Sequence, residues 1–141
     1  MIILDLHNNS DININDKAVE NLINLVLNKY GLSNGKINLI ITSDKILREM
    51  KKNYFNQNYF TDVIAFNIEE NPFEGEIYIS HQRVKENAIK YKQNFQEELK
   101  RVIIHGVLHL CGKEDSTKKE KSEMTSLEDL FIKSFGKKLL D

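Results

Sequence analysis

The spacing of apolar and polar positions changes several times along the chain, and each change marks an element. Residues 2–7, IILDLH, are a short apolar run that reads as a first strand. In NDKAVENLINLVLNKYG, Val19, Leu22, Ile23, Val26 and Leu27 recur at helical spacing. Asp16 stands where this helix needs an N-cap, and Gly31 where a left-handed C′ residue stops it. KINLIITS, rich in β-branched residues, is the next strand, and Ser43 or Asp44 caps a short helix through about Lys52. NYFNQNYF (53–60) shows no period and reads as a loop. TDVIAFNI and GEIYIS are two more strands; the EENPFEG stretch between them holds the only proline and predicts a turn and an antiparallel pair. From His81 the period is helical: residues 82–92 carry charge on one face, and residues 95–111 are the most apolar, ending at Gly112. The last helix, residues 117–135, opens with the capping box formed by Thr117 and Glu120. It carries an apolar stripe of Met124, Leu127, Leu130, Phe131 and Ile132, and Gly136 closes it. The order β-α-β-α-β-β-α-α-α predicts an α+β fold. It is a single small domain over residues 1–141, with a four-stranded mixed sheet covered by helices and a central histidine-bearing helix.

Composition adds limits rather than direction. A chain of 141 residues is long enough to bury a core, and 40% hydrophobic with 29% charged residues is an ordinary globular balance. A net charge of −1 excludes a uniformly basic surface but not a local basic groove. Cys111 is the only cysteine, which rules out an intrachain disulfide and fits a reducing compartment. No run reaches the roughly 18 apolar residues of a membrane span, and MIILDLHNNS lacks the pattern of a signal peptide. A cytoplasmic protein with no membrane partner is expected.

The chemistry is concentrated in HGVLHLCGKED, residues 105–115. Four residues of helix rotate a side chain by about 400°, so His105 and His109 stand one above the other. Their neighbours Val102, Ile103, Ile104, Val107, Leu108 and Leu110 are apolar. An imidazole buried there without a partner costs a few kcal/mol. A divalent metal would partner both, and a helical pair at this spacing presents two nitrogens to one ion. Gly112 can turn the chain back and bring Asp115 to the same ion; three protein ligands then leave one position open, as in catalytic zinc sites. The alternatives are a satisfied histidine pair in a core and an acidic residue favoured near a helix start. Cys111 is turned about 200° from His109 and reads as core. Gly106 costs the helix roughly 1 kcal/mol against alanine and implies the close approach of another backbone. The glutamate that follows the first histidine in zinc peptidases is absent, because Gly106 holds that place.

HGVLHLCG fits every fixed position of H-G-x-L-H-L-x-G, and here the chain resembles the YbeY endoribonucleases, metal-dependent maturation factors of ribosomal RNA. TDVIAF (61–66) is similar to that family's T-D-V-L-S-F, GEIYIS (75–80) to its G-D-I-x-I-S, and EMTSLEDLFIKSFG (123–136) to its closing helix, with Met124 in place. The resemblance spans roughly residues 36–136. It implies one Zn2+ per chain, held by His105, His109 and Asp115, and hydrolysis of single-stranded RNA by a zinc-activated water. The expected setting is small-subunit rRNA 3′-end processing and ribosome quality control, with ribosomal RNA, the small ribosomal subunit and ribosomal proteins as partners. Two positions depart from the family: its third ligand is usually histidine where this chain has Asp115, and an arginine shortly before T-D-V is replaced by Phe55, leaving Arg48, Lys51 or Lys52 to serve.

Other candidates follow from that reading. Asp62 and Glu76 would orient the ligands or act as base, or simply end a strand and face water. Lys100, Arg101, Lys113, Lys118, Lys119 and Lys121 would line an RNA groove, or form a solvated face. Tyr54, Phe55, Tyr59 and Phe60 would stack unpaired bases, or anchor their loop on the core. His7 and His81 are ordinary strand-end or surface residues, and Ser80 is the N-cap of the helix it precedes. Two other functions remain open: a ribosome-assembly binding factor with a structural metal, and a zinc hydrolase of another substrate.

Overall fold

The computed structural model describes residues 1–141. In chain order the elements are β1 (Ile2–Asn8), α1 (Asp16–Lys29), β2 (Gly35–Thr42), α2 (Asp44–Phe55), β3 (Val63–Glu70), β4 (Phe73–Ser80), α3 (His81–Lys90), α4 (Phe95–Leu110) and α5 (Lys118–Phe135). The architecture is α+β: one four-stranded sheet in the order β1-β2-β4-β3, flanked by helices. β1 and β4 run parallel to β2, while β3 pairs antiparallel with β4 and forms one edge, so the sheet is mixed.

Strand alternation decides which residues meet the histidine helix. Along β4, Phe73, Gly75, Ile77 and Ile79 are buried, while Glu74, Glu76 and Tyr78 face the other side. The first set packs under α4, where a Cβ on Gly75 would lie 2.7 Å from Leu110 Cδ1. The helix can lie this close because Gly106 has no side chain: a Cβ there would meet Ile77 Cγ2 at 3.0 Å and Val63 Cγ2 at 3.1 Å. The approach expected from a backbone thus comes from two β-branched side chains of the sheet. One apolar cluster joins α1, β2, β4, α4 and α5.

Several boundaries differ from expectation for local reasons. Asn15, not Asp16, caps α1, its side chain accepting from the Ala18 N–H at 2.9 Å. Helix α2 runs on to Phe55, through the first three residues of the stretch expected to be loop, and stops at Asn56 in the left-handed conformation (φ 54). Its last turn is held by Tyr54 and Phe55, whose rings meet Phe66 of β3 at 5.7 and 5.9 Å. The hairpin between β3 and β4 is tighter than the seven residues marked by turn signals, because only Asn71 and Pro72 lie outside the strands. In α5, Leu130 does not join the apolar stripe and is 51% exposed, whereas Glu128 is buried. The capping box of Thr117 and Glu120 forms. After Gly136 the chain is fixed again: Leu139 is buried and Gln96 Oε1 accepts from the N–H groups of Leu139 and Leu140.

Candidate metal centre

Asn94 caps α4, accepting from the Glu97 N–H at 2.8 Å, and the helix then carries His105 and His109 toward the gap between α5 and the start of β3. Its end is sharply made. The Gly112 N–H bonds to the His109 carbonyl and the Lys113 N–H to the Leu108 carbonyl, both at 3.0 Å, with Gly112 at φ +89. This double closure needs a residue tolerant of positive φ, which is why glycine stands there. The reversal lays Asp115 beside both rings. His105 Nε2 lies 3.1 Å from Asp115 Oδ2, His109 Nε2 3.6 Å from Asp115 Oδ1, and the two Nε2 atoms are 3.0 Å apart.

These separations can be tested against an ion. Zinc bonds nitrogen and oxygen ligands at about 2.0–2.2 Å, so two ligands on one tetrahedron are about 3.3 Å apart. The observed values bracket that figure, and His105, His109 and Asp115 form a group whose ligand atoms all lie within 4.8 Å of one another. The side chains are 25%, 30% and 38% exposed, so the cluster opens to solvent on one side.

Glu128, which the periodicity does not single out, completes the arrangement. Its Oε2 accepts from His105 Nδ1 at 2.6 Å, and its Oε1 accepts from Arg101 at 2.9 Å. A carboxylate only accepts, so the proton sits on Nδ1 and the Nε2 lone pair is left toward Asp115 and His109. Arg101 also bonds Asp129 at 2.6 Å. A signal for Glu128 exists in the sequence: it falls four residues after Met124 and three before Phe131, a charged residue on an otherwise apolar stripe.

Electrostatics follow from this packing. Burial works against a charge on His105, but the Glu128 hydrogen bond and the carboxylates of Glu128, Asp115 and Asp62 outweigh it and raise its pKa above the ordinary imidazole value. Asp62, Glu98, Arg101, Val102, His105 and Glu128 line a cavity of about 110 Å³ behind the histidine. Burial there raises the Asp62 carboxyl, and burial with the nearby Asp62 carboxylate pushes Glu98 up to about 7.

The structure separates the remaining candidates. Asp62 lies behind His105 but is bonded to Asn87 Nδ2 at 3.1 Å rather than to a ligand. Glu76 is on the opposite face of the sheet, bonded to the Tyr78 hydroxyl at 3.1 Å, and has no part in the cluster. Lys100 is buried and paired with Glu97 at 3.1 Å, and Arg101 is committed to Glu128 and Asp129, so neither is a free groove cation. Lys113, Lys118, Lys119 and Lys121 are exposed. Cys111 is half-buried at the helix end, and burial pushes its thiol up to about 11, leaving it protonated at neutral pH and a poor ligand. His7 pairs with Asp5 at 3.4 Å on an exposed strand, and His81 begins α3. Ser80 caps that helix, accepting from the Arg83 N–H at 3.1 Å.

Comparison with known proteins agrees with this geometry. The family model described as Endoribonuclease YbeY matches residues 5–136. Among curated proteins, the Endoribonuclease YbeY of Karelsulcia muelleri (strain GWSS) is 44% identical over 104 residues, covering 73% of this chain and 74% of that one. That of Flavobacterium psychrophilum is 43% identical over 116 residues, covering 82% and 83%. The solution structure of TM1509 from Thermotoga maritima aligns with a TM-score of 0.64 at 29% identity, over 96% of this chain and 89% of that one. With the ligand cluster, these likenesses support a metal-dependent nuclease in general terms.

Proposed function

Because the chain belongs to the YbeY endoribonuclease family, we propose that it is a zinc-dependent endoribonuclease that cuts single-stranded RNA. The observation that supports this most is the convergence of His105, His109 and Asp115 on one point with a side open to solvent. His105 Nε2, His109 Nε2 and an Asp115 oxygen would hold the ion. Bound zinc supplies a Lewis acid toward a phosphodiester oxygen and lowers the pKa of a water toward neutrality. Glu128 keeps the proton of His105 on Nδ1, and Arg101 holds Glu128 in place. Gly106 puts no carboxylate where zinc peptidases carry their base, which speaks against peptide hydrolysis.

The biological setting in this reading is the cytoplasm, where the enzyme trims the 3′ end of small-subunit ribosomal RNA and serves ribosome quality control. Its partners there are ribosomal RNA, the small ribosomal subunit and its proteins. The rival, a binding factor with a structural metal, is disfavoured by the apolar cluster of 24 buried residues, which packs without help from the ligand trio. The test is cleavage of a single-stranded RNA by the zinc-loaded protein, by the chelator-treated protein and by His109→Ala. Cleavage by the first alone is expected. Equal cleavage by all three, or none by a zinc-loaded folded protein, overturns the reading.

A further inference from the structure

A second cluster, on and beside the C-terminal end of α2, is not used by the chemistry of the metal centre. Between Lys45 and Phe60 the chain carries Lys45, Arg48, Lys51 and Lys52 against one carboxylate, Glu49. In the same segment Tyr54 is 69% exposed, Phe55 42%, Tyr59 50% and Phe60 46%. Single exposed rings are ordinary, but a concentration of them marks a surface that has a partner.

The rings are layered. Phe66, which itself meets Tyr78 edge-on at 6.1 Å, supports Tyr54 and Phe55 from the sheet, so those two are anchored yet remain partly exposed. Tyr59 and Phe60 meet cations. Lys51 Nζ lies 4.7 Å from the Phe55 ring and 5.5 Å from Tyr59, and the guanidiniums of Arg48 and Arg83 lie 5.0 and 4.8 Å from Phe60. Arg83 is matched by Asp44 at 2.9 Å, and Arg48 donates only to the Asn58 amide oxygen at 2.9 Å. Lys45, Arg48, Lys51 and Lys52 form no salt bridge. Such a surface offers flat faces and uncompensated positive charge together. An acidic peptide would satisfy the charge and leave the faces idle; a strand of unpaired nucleotides satisfies both.

Position ties the surface to the metal centre. Phe60 is two residues from Asp62, which lines the cavity behind His105, and Val63, which follows, packs on Gly106. β3 is the sheet edge, so a path from one surface to the other rounds its first residues without crossing the sheet. From these observations we infer that Arg48, Lys51, Phe55, Tyr59 and Phe60 form a stacking platform for unpaired bases of single-stranded RNA, beyond the nucleotides at the metal centre. The inference rests on the RNA reading above for its ligand, and on the rings and cations for its place.

Binding is measured by anisotropy under chelation, so that nothing is cut, with two fluorescein-labelled probes: a short oligoadenylate and an abasic strand of equal length. Tyr59→Ala/Phe60→Ala is expected to weaken oligoadenylate binding by about tenfold or more and to leave the abasic strand unaffected. Tyr59→Phe is expected to bind as wild type, which a requirement for the hydroxyl would contradict. Lys51→Ala should weaken both probes and lower the slope of log affinity against log salt by about 0.7. Circular dichroism checks the fold of each variant, and Tyr59→Ala alone serves if the double variant fails it. Unchanged oligoadenylate affinity in the ring variants, or equal losses on both probes, overturns the platform. Cleavage by the zinc-loaded wild type is read in parallel. A protein that cuts RNA but ignores the ring changes loses the platform only; one that binds through the rings and never cuts loses the nuclease reading only.

Discussion

Glu128 determines which nitrogen of His105 is free. Glu128→Gln keeps the volume but loses the charge that holds Nδ1 protonated, and partners of this kind contribute about 10- to 100-fold in metal affinity. Zinc titration against a competing chelator should show a loss of that order with the fold retained; an unchanged affinity would deny Glu128 its part. Glu98 allows a separate check on the cavity behind the histidine. Its carboxyl titrates at about 7 in the fold against an ordinary 4.5, so the fold holds the proton more tightly than the unfolded chain does. The stabilisation this gives is present below 4.5 and is lost as pH rises toward 7. Glu98→Gln should therefore match wild type in urea denaturation below 4.5 and exceed it above 7. His105, His109 and Asp115 were legible in the sequence because the helical spacing of the histidines, the stop at Gly112 and the carboxylate after it are all local signals. Glu128 was not, since its role depends on how α5 lies against α4, and Glu76 misled because a carboxylate near a motif does not reveal which face of its strand it is on.

At the scale of elements, the turn after α4 controls where Asp115, the proposed third ligand, lies. Alanine at Gly112 would hold φ +89 at a cost of about 1 kcal/mol. Gly112→Ala is expected to lower stability by that amount and to weaken zinc binding further, as Asp115 shifts. A variant that loses stability but keeps its affinity would show that the turn and the ligand are uncoupled. Gly106→Val puts a branched side chain against Ile77 and Val63, and overpacking of this kind costs about 1–3 kcal/mol; thermal denaturation checks it. Helix α4 was legible because its apolar run, its histidines and its stop glycine agree. The end of α2 was not, because Tyr54 and Phe55 are held by Phe66, ten or more residues later in the chain, and local period carries no trace of that contact. The tail after Gly136 is a similar case, being fixed by Gln96.

Across the whole molecule, the sheet and its apolar cluster hold the site rather than the reverse. The four-stranded mixed sheet with flanking helices was legible from the order of periods, including the antiparallel pair, because each element's own pattern agrees with the fold. A proton and a bound metal would compete at its centre. The raised His105 pKa gives the metal-free protein stability that is present below 6.5 and is lost as pH rises through the higher folded value. Zinc needs the Nε2 atoms unprotonated, so the rise in melting temperature on adding zinc should grow with pH across that range. A zinc effect that shrinks with pH would contradict the arrangement.

The central claim is that three side chains of this fold hold one cation. Elemental analysis of the purified protein and of His109→Ala, each confirmed folded by circular dichroism, tests it most directly. One zinc per chain in the wild type and a marked loss in the variant are expected. A folded wild type that takes up no stoichiometric metal, or a variant that keeps it in full, would contradict the account.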